Sequence, residues 1–331
     1  MKYSLVNYRK FIYVLLTIVG IAVIGLLFYL SPELVKKQVN LNHDFTNLEL
    51  NSIQPMGNGV YTIEDGKLMN YSSGSSSKVI EGDHPKLLAE KLQLDHENVL
   101  KNLKSKLFSN KSVQINFEPE AIIKLKDYYL IKANHLLVLD EKLNTKYVQE
   151  FKHGISGVFN NQSNTMDGVI TLGQDEFINS AVSIYNSKRE EVFKLTFKDE
   201  IILGADFIDN EDLLICTTEY LYRFKNGMLD DKNPMENTKG FDFSKPYIVR
   251  TTDRSLRIQN TDMEILLDTK VEEDIKGVFA KEGKVIVYGE LLFHVYDGTE
   301  FKTYRPDGSI KGFKKDGNRY YIITDKSVLE V

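Results

Sequence analysis

Short runs of alternating apolar and polar residues recur along the chain, with turn signals between them. The first, GVYTIEDGKLMNY, begins at Gly59. Six more begin at Asp127, Gly168, Asp212, Pro246, Lys284 and Arg319, among them DLLICTTEYLYRFKNG and RYYIITDKSVLEV. Each joins two apolar stretches through a polar break, which predicts a β-hairpin with a buried face. The steps between starts are 68, 41, 44, 34, 38 and 35 residues, so all but the first lie near 40. Four-stranded propeller blades repeat at about 40–50 residues. One small sheet leaves its faces wet, whereas blades packed radially cover one another.

A second layer of similarity precedes the runs. Ile275-Lys276-Gly277-Val278-Phe279 stands before Lys281 and a strand, and Ile310-Lys311-Gly312-Phe313 stands before Lys315 and another, 35 residues on. Ile202-Leu203-Gly204-Ala205-Asp206-Phe207 holds the same place before Asp212. A glycine-bearing strand leading through an acidic turn into an apolar strand predicts the hairpin between a blade's inner and second strands. The fold expected is all-β: a propeller of about seven blades, with six or eight possible. A generic β-sandwich is the alternative that alternation alone leaves open. The last run ends on the third strand of its blade, and residues 46–53, with Leu48, Leu50 and Ile53 alternating, are expected to supply the fourth.

The long first step holds a different pattern. In PKLLAEKLQLDHENVLKNLKSKLF, residues 85–108, Leu88, Leu92, Val99, Leu103 and Leu107 fall near one face of a helix. Pro85 suits a first helical turn and Asp95 suits a cap. A helical insertion over 84–109 in the first blade is therefore expected. Lys101 and Lys104 on its polar face are candidate partner contacts. The stretch also looks like a helix-turn-helix core with Gln93 at the turn.

Residues 11–30 form an uncharged apolar run of twenty, long enough at ~1.5 Å per residue to span a bilayer's ~30 Å hydrocarbon core. Lys2, Arg9 and Lys10 precede it, and no small-residue cleavage pattern follows it. The expectation is a single-pass signal anchor: a cytoplasmic tail over 1–10, a span over 11–30, a stalk over 31–45 and an extracytoplasmic propeller over 46–331.

Charge and composition narrow the chemistry. The net charge is −5, and the first thirty residues hold three bases and no acid, leaving −8 on the rest. An acidic body argues against nucleic acid as a partner. One cysteine, Cys216 in an apolar run, excludes internal disulfides and reads as a buried small hydrophobe. The six histidines (His43, His84, His96, His135, His153 and His294) form no zinc-binding spacing. Asp206, Asp209, Glu211 and Asp212 crowd one turn without matching a calcium loop. Ser156 lacks the spacing of a nucleophile elbow. No metal, cofactor or catalytic residue is assigned.

The blade runs resemble those of quinoprotein-like (PQQ-like) propellers. The whole layout is similar to membrane-anchored propellers of Gram-positive bacteria whose function is uncharacterised. The chain has no tryptophan, the residue that docks quinoprotein blades on one another, so the resemblance implies the fold and carries no cofactor residue. The function expected is a membrane-tethered binding or scaffolding module for an envelope protein or cell-wall polymer. An enzyme acting on cell-wall glycan at the propeller channel is the alternative.

Overall fold

Each repeated run is the second-to-third-strand hairpin of a four-stranded antiparallel sheet. In the run at Asp212, Leu213–Thr217 is buried along its whole length and pairs with Tyr220–Lys225. A strand buried on both faces is apolar throughout, and outer strands such as Glu191–Lys198 alternate instead. The computed structural model describes residues 37–39, 44–56, 59–72, 78–79, 84–103, 112–235, 237–281, 283–316 and 319–331.

Eight such sheets form an eight-bladed propeller. The first strands of blades 1 to 8 begin at Ile53, Pro85, Ala121, Gly154, Ile202, Gly240, Gly277 and Ile310. First strands contact one another between blades 4 and 5, 5 and 6, 6 and 7, 8 and 1, and 1 and 2, which marks them as innermost. The glycine-bearing strands predicted to be inner are inner, and each turns back into its blade's second strand. Apolar clusters fill the seams between blades. Ile215 and Tyr222 of blade 5 pack on Val182 and Ile184 of blade 4, and Ile322 of blade 8 packs on Ile286 and Val295 of blade 7. Each such buried side chain contributes about 1.5–3 kcal/mol, so the seams hold the ring together.

The helical insertion expected over 84–109 is not found among the described residues, 84–103. Pro85–Ala89, Leu92–Asp95, Val99–Asn102 and Ser112–Gln114 are instead the four strands of blade 2. The reversal lies at Glu90 and Lys91, with φ of 49° and 69°, so the chain folds back and Ala89 pairs with Leu92. Leu88, Leu92, Leu94 and Leu100 are all buried, a set that the helical spacing only partly contained. Gln93 is buried in the second strand, which removes the helix-turn-helix reading. Asp95 does cap a local structure, but a turn: its Oδ1 accepts from the Glu97 and Val99 amides at 3.0 and 2.8 Å. With blade 2 in place, the long step becomes two ordinary ones, from Gly59 to Leu92 to Tyr128.

Ring closure also differs from expectation. The last blade's fourth strand is Lys37–Val39, paired antiparallel with Val328–Glu330, within the stretch expected to be a stalk. Residues 46–53 instead lead into blade 1 through a single 3-10 turn, Leu50–Ser52, and Ile53 opens the inner strand. They still tie the ring: Phe45 is fully buried at the blade 8–blade 1 seam, and Lys311 Nζ donates to the Thr46 and Leu48 carbonyls, each at 2.8 Å. The expected membrane span over 11–30 lies outside the described residues. Among the described residues, no helix is long and apolar enough to cross a membrane.

Candidate functional site

Three places on the ring bring chemically distinctive side chains together: one end of the channel, a cleft between blades 3 and 4, and an apolar rim across blades 4 to 6. At the end where inner strands turn into second strands, blades 2, 3, 7 and 8 present lysines. Glu90, set by its left-handed turn, lies in the field of Lys315, Lys314, Lys91 and Lys124. Burial pushes its carboxyl up against the pull of those cations. Burial likewise lowers the Lys314 and Lys315 ammoniums, and Glu90 opposes that shift. Beside them Phe279, Phe313 and Tyr320 stack with centroids 4.5 to 5.7 Å apart, and Lys281 Nζ lies 5.1 Å from the Tyr320 ring.

Across the ring, blades 5 and 6 put Asp206 and Asp242 on adjacent inner strands. Burial raises Asp206 to about 7, with Asp242 adding repulsion, although the Phe207 amide donates to it at 2.7 Å. Asp242 is raised to about 6 by burial, against donation from Ala280 N at 2.6 Å and Phe243 N at 2.9 Å. The acidic turn noted in the sequence is thus split. Asp209 accepts from the Glu211 and Asp212 amides, both at 3.0 Å, and shapes the hairpin, whereas Asp206 belongs to the inner strand. Among the described residues, no group of three or more His, Cys, Asp or Glu side chains is placed to hold a metal.

Asp167 organises the cleft between blades 3 and 4. It accepts from Tyr129 Oη at 2.9 Å and Tyr147 Oη at 3.1 Å, and Arg189 Nη1 bonds it at 3.0 Å. The guanidinium lies 3.9 Å from the Tyr147 ring centroid and 4.6 Å from that of Tyr185. Its charge is thus matched by Asp167 and two ring faces, although its Nε has no hydrogen-bond partner among the described residues.

The rim is the opposite case. The outer strands of blades 4, 5 and 6 carry exposed apolar residues within their first two positions: Val192, Met228 with Leu229, and Ile265 with Leu266. Met228 is 72% exposed. The turn before it, Asn226-Gly227, takes φ of 49° and 75°, the geometry of a tight hairpin in which glycine carries no penalty. That turn and Val192 border a groove of about 290 Å³ between blades 4 and 5, floored by Met166, Ile184, Phe193, Phe207 and Leu213.

Lys101 sits on a strand of blade 2, with Nζ 3.7 Å from Asp95 Oδ2. Lys104 lies outside the described residues. Cys216 is fully buried at the seam of blades 5 and 6, as the apolar run around it predicts, and burial pushes its thiol up to about 12. The rim residues carried no signal in the sequence, because an apolar residue opening an outer strand has the same alternation as one that is covered.

No family model matches the chain, and no curated protein matches it. Solved structures do. BamB from Moraxella catarrhalis is similar at 12% identity and a TM-score of 0.55, over 87% of this chain and 98% of that one. Sqt1 of Saccharomyces cerevisiae gives 8% identity and 0.60, over 88% and 99%. A chain in the crystal structure of BBS1N in complex with ARL6DN gives 11% and 0.53, over 88% and 96%. At such identities the likeness shows a shared fold, the β-propeller.

Proposed function

We propose that this chain is a membrane-tethered, extracytoplasmic propeller that binds a protein partner through the apolar rim of blades 4 to 6. The observation that carries the reading is that three successive outer strands bear exposed apolar side chains and that one of these, Val192, borders a groove lined mainly by apolar residues. Contiguous exposed apolar surface on a folded protein marks an interaction site, because water leaves it at a gain of about 25 cal/mol per Å². Large apolar anchors in a groove are also where binding energy concentrates. The solved complex of BBS1N with ARL6DN supports the reading as an example of a similar fold in a complex with another protein. Tethering is supported by the apolar run over 11–30 and the bases before it, and an envelope protein is the partner that such a position offers.

The test uses the full-length chain, purified from membranes after crosslinking. Met228→Glu with Leu229→Glu should leave the melting temperature unchanged and remove the co-purifying protein. Retention of the same partners in the same amounts overturns the reading. Recovery of only a second copy of this chain assigns the rim to self-association and also overturns it.

A second reading is an enzyme acting on cell-wall glycan at the channel. It draws on Asp206 and Asp242, two partly buried carboxylates on neighbouring strands with values near 7 and 6, a range in which a general acid can work. Release of soluble fragments from purified wall glycan, abolished by Asp206→Asn, is what it requires.

A further inference from the structure

Blade 6 departs from its neighbours at one buried position. In blades 5, 6, 7 and 8 the last ladder pairs before the turn from second to third strand are Cys216 with Leu221, Thr251 with Leu256, Tyr288 with Phe293, and Ile323 with Val328. The residue just before is Ile215, Arg250, Val287 and Ile322 in turn. The three aliphatics are almost fully buried, and each packs against the preceding blade. Arg250 occupies the same seam position and is only 7% exposed.

The ring therefore places a guanidinium where its own pattern uses an aliphatic side chain. Burying a cation is costly unless a counter-charge meets it. Among the described residues, Arg250 has no carboxylate within ion-pair distance. Its Nη1 is directed at the Met235 thioether sulfur, a weak acceptor, and its Nε has no partner. Burial pulls its pKa down, and Arg257, directly opposite on the third strand, lowers it further, while Asp268, already paired with Arg257, opposes the shift.

Arg250 lines a cavity of about 880 Å³ at the seam of blades 5 and 6. The other charges there are already matched: Lys239 Nζ meets Asp253 Oδ1 at 2.5 Å, and Arg257 meets Asp268 through Nη2 at 2.5 Å and Nε at 2.7 Å. Thr238, Thr251, Thr252 and Ser255 add hydroxyls to the lining. The cavity thus holds a guanidinium that has no ion-pair partner among the described residues, beside hydroxyl-bearing side chains; a guanidinium's planar set of donors suits two oxygens of one acid group.

We infer that this cavity is a binding site for a small ligand bearing an oxyanion, a carboxylate or a phosphate, seated on Arg250. The site is distinct from the rim, so its failure would leave the partner reading untouched. The ligand supplies the counter-charge that the described residues do not offer Arg250, which explains why an arginine is held where an aliphatic would close the seam.

The test is thermal unfolding of the full-length chain with inorganic phosphate, with glutarate, and with chloride at matched ionic strength. One of the two oxyanions should raise the melting temperature saturably, by about 4 °C at a hundredfold excess over its Kd, and which of them does so separates phosphate from carboxylate. Arg250→Leu, which copies the other blades, should lose that rise while melting no lower than the unliganded wild type. Arg250→Lys, which keeps the charge without the fork, should weaken binding at least tenfold. A wild type that neither oxyanion stabilises beyond chloride, or a rise retained in full by Arg250→Leu, overturns the site.

Discussion

Lys91 of blade 2 and Asp316 of blade 8 meet at 2.6 Å, reaching past blade 1 at the end of the channel. The pair joins the turn between the first two strands of blade 2 to the inner strand of blade 8, so it links segments more than two hundred residues apart in the chain. Asp316 is buried and Lys91 only partly exposed, which shields the pair from the screening that makes surface ion pairs weak.

Lys91→Ala should therefore destabilise the protein by about 1–3 kcal/mol, lowering the melting temperature by about 2–5 °C. Lys101→Ala, which removes a 3.7 Å contact from a more exposed lysine, should change it by less than about 1 kcal/mol. Equal effects in the two variants would show that the cross-ring pair does not hold the channel end.

Asp206 and Asp242 should give the protein an unusual response to pH. Both carboxyls are raised in the fold, from 3.8 to about 7 and about 6. The folded state therefore holds protons that the unfolded chain has released. Their contribution is fully present below about pH 4 and is lost as pH rises through 6 and 7. Asp206→Asn should stabilise the protein at pH 8 by roughly 2–4 kcal/mol and have little effect at pH 4. Melting curves of the two proteins across that range check the sign, and a variant difference independent of pH would show that Asp206 is not protonated in the fold.

Removing the closing strand should open the ring. A fragment of residues 44–331 lacks Lys37–Val39 and leaves the Val328–Glu330 edge unpaired, whereas residues 31–331 retain the pairing. Unpaired edges template association with other chains, and each lost ladder bond costs about 1 kcal/mol. The shorter fragment should melt lower and elute as larger species on size exclusion. Identical behaviour would show that the ring closes without that strand.

Cys216, the single thiol, should report unfolding of the seam between blades 5 and 6. It is fully buried and its thiol is raised to about 12, so almost no thiolate exists at pH 8. The native protein should react with a thiol-specific disulfide reagent at the rate of seam opening, and at the rate of a free thiol once unfolded in guanidinium. Rapid labelling of the native protein would mean that the seam is open.

How much of this was legible in the sequence follows from what each feature depends on. The seven hairpin runs, the inner-strand glycines before Phe279 and Phe313, and the burial of Cys216 are properties of local pattern. Alternation and turn residues act over a few positions, so the sequence alone determined a propeller and nearly its blade count. Blade 2 escaped because Leu88 and Leu92 stand four apart, a spacing shared by a helix face and by two strands around a two-residue turn. Only neighbouring blades decide between those states, by covering Leu92, Leu94 and Leu100 on a seam. The closing strand escaped for a different reason: backbone ladder bonds are blind to side chains, and Lys37–Val39 is chosen by the edge it meets. The site candidates are tertiary in the same sense. Arg250 looks ordinary within YIVRT, and its isolation arises because its counter-charges, Asp253 and Asp268, are taken by Lys239 and Arg257 from other strands and turns. Charge balance in a buried seam is a sum over segments distant in the chain, and only the folded ring carries it out.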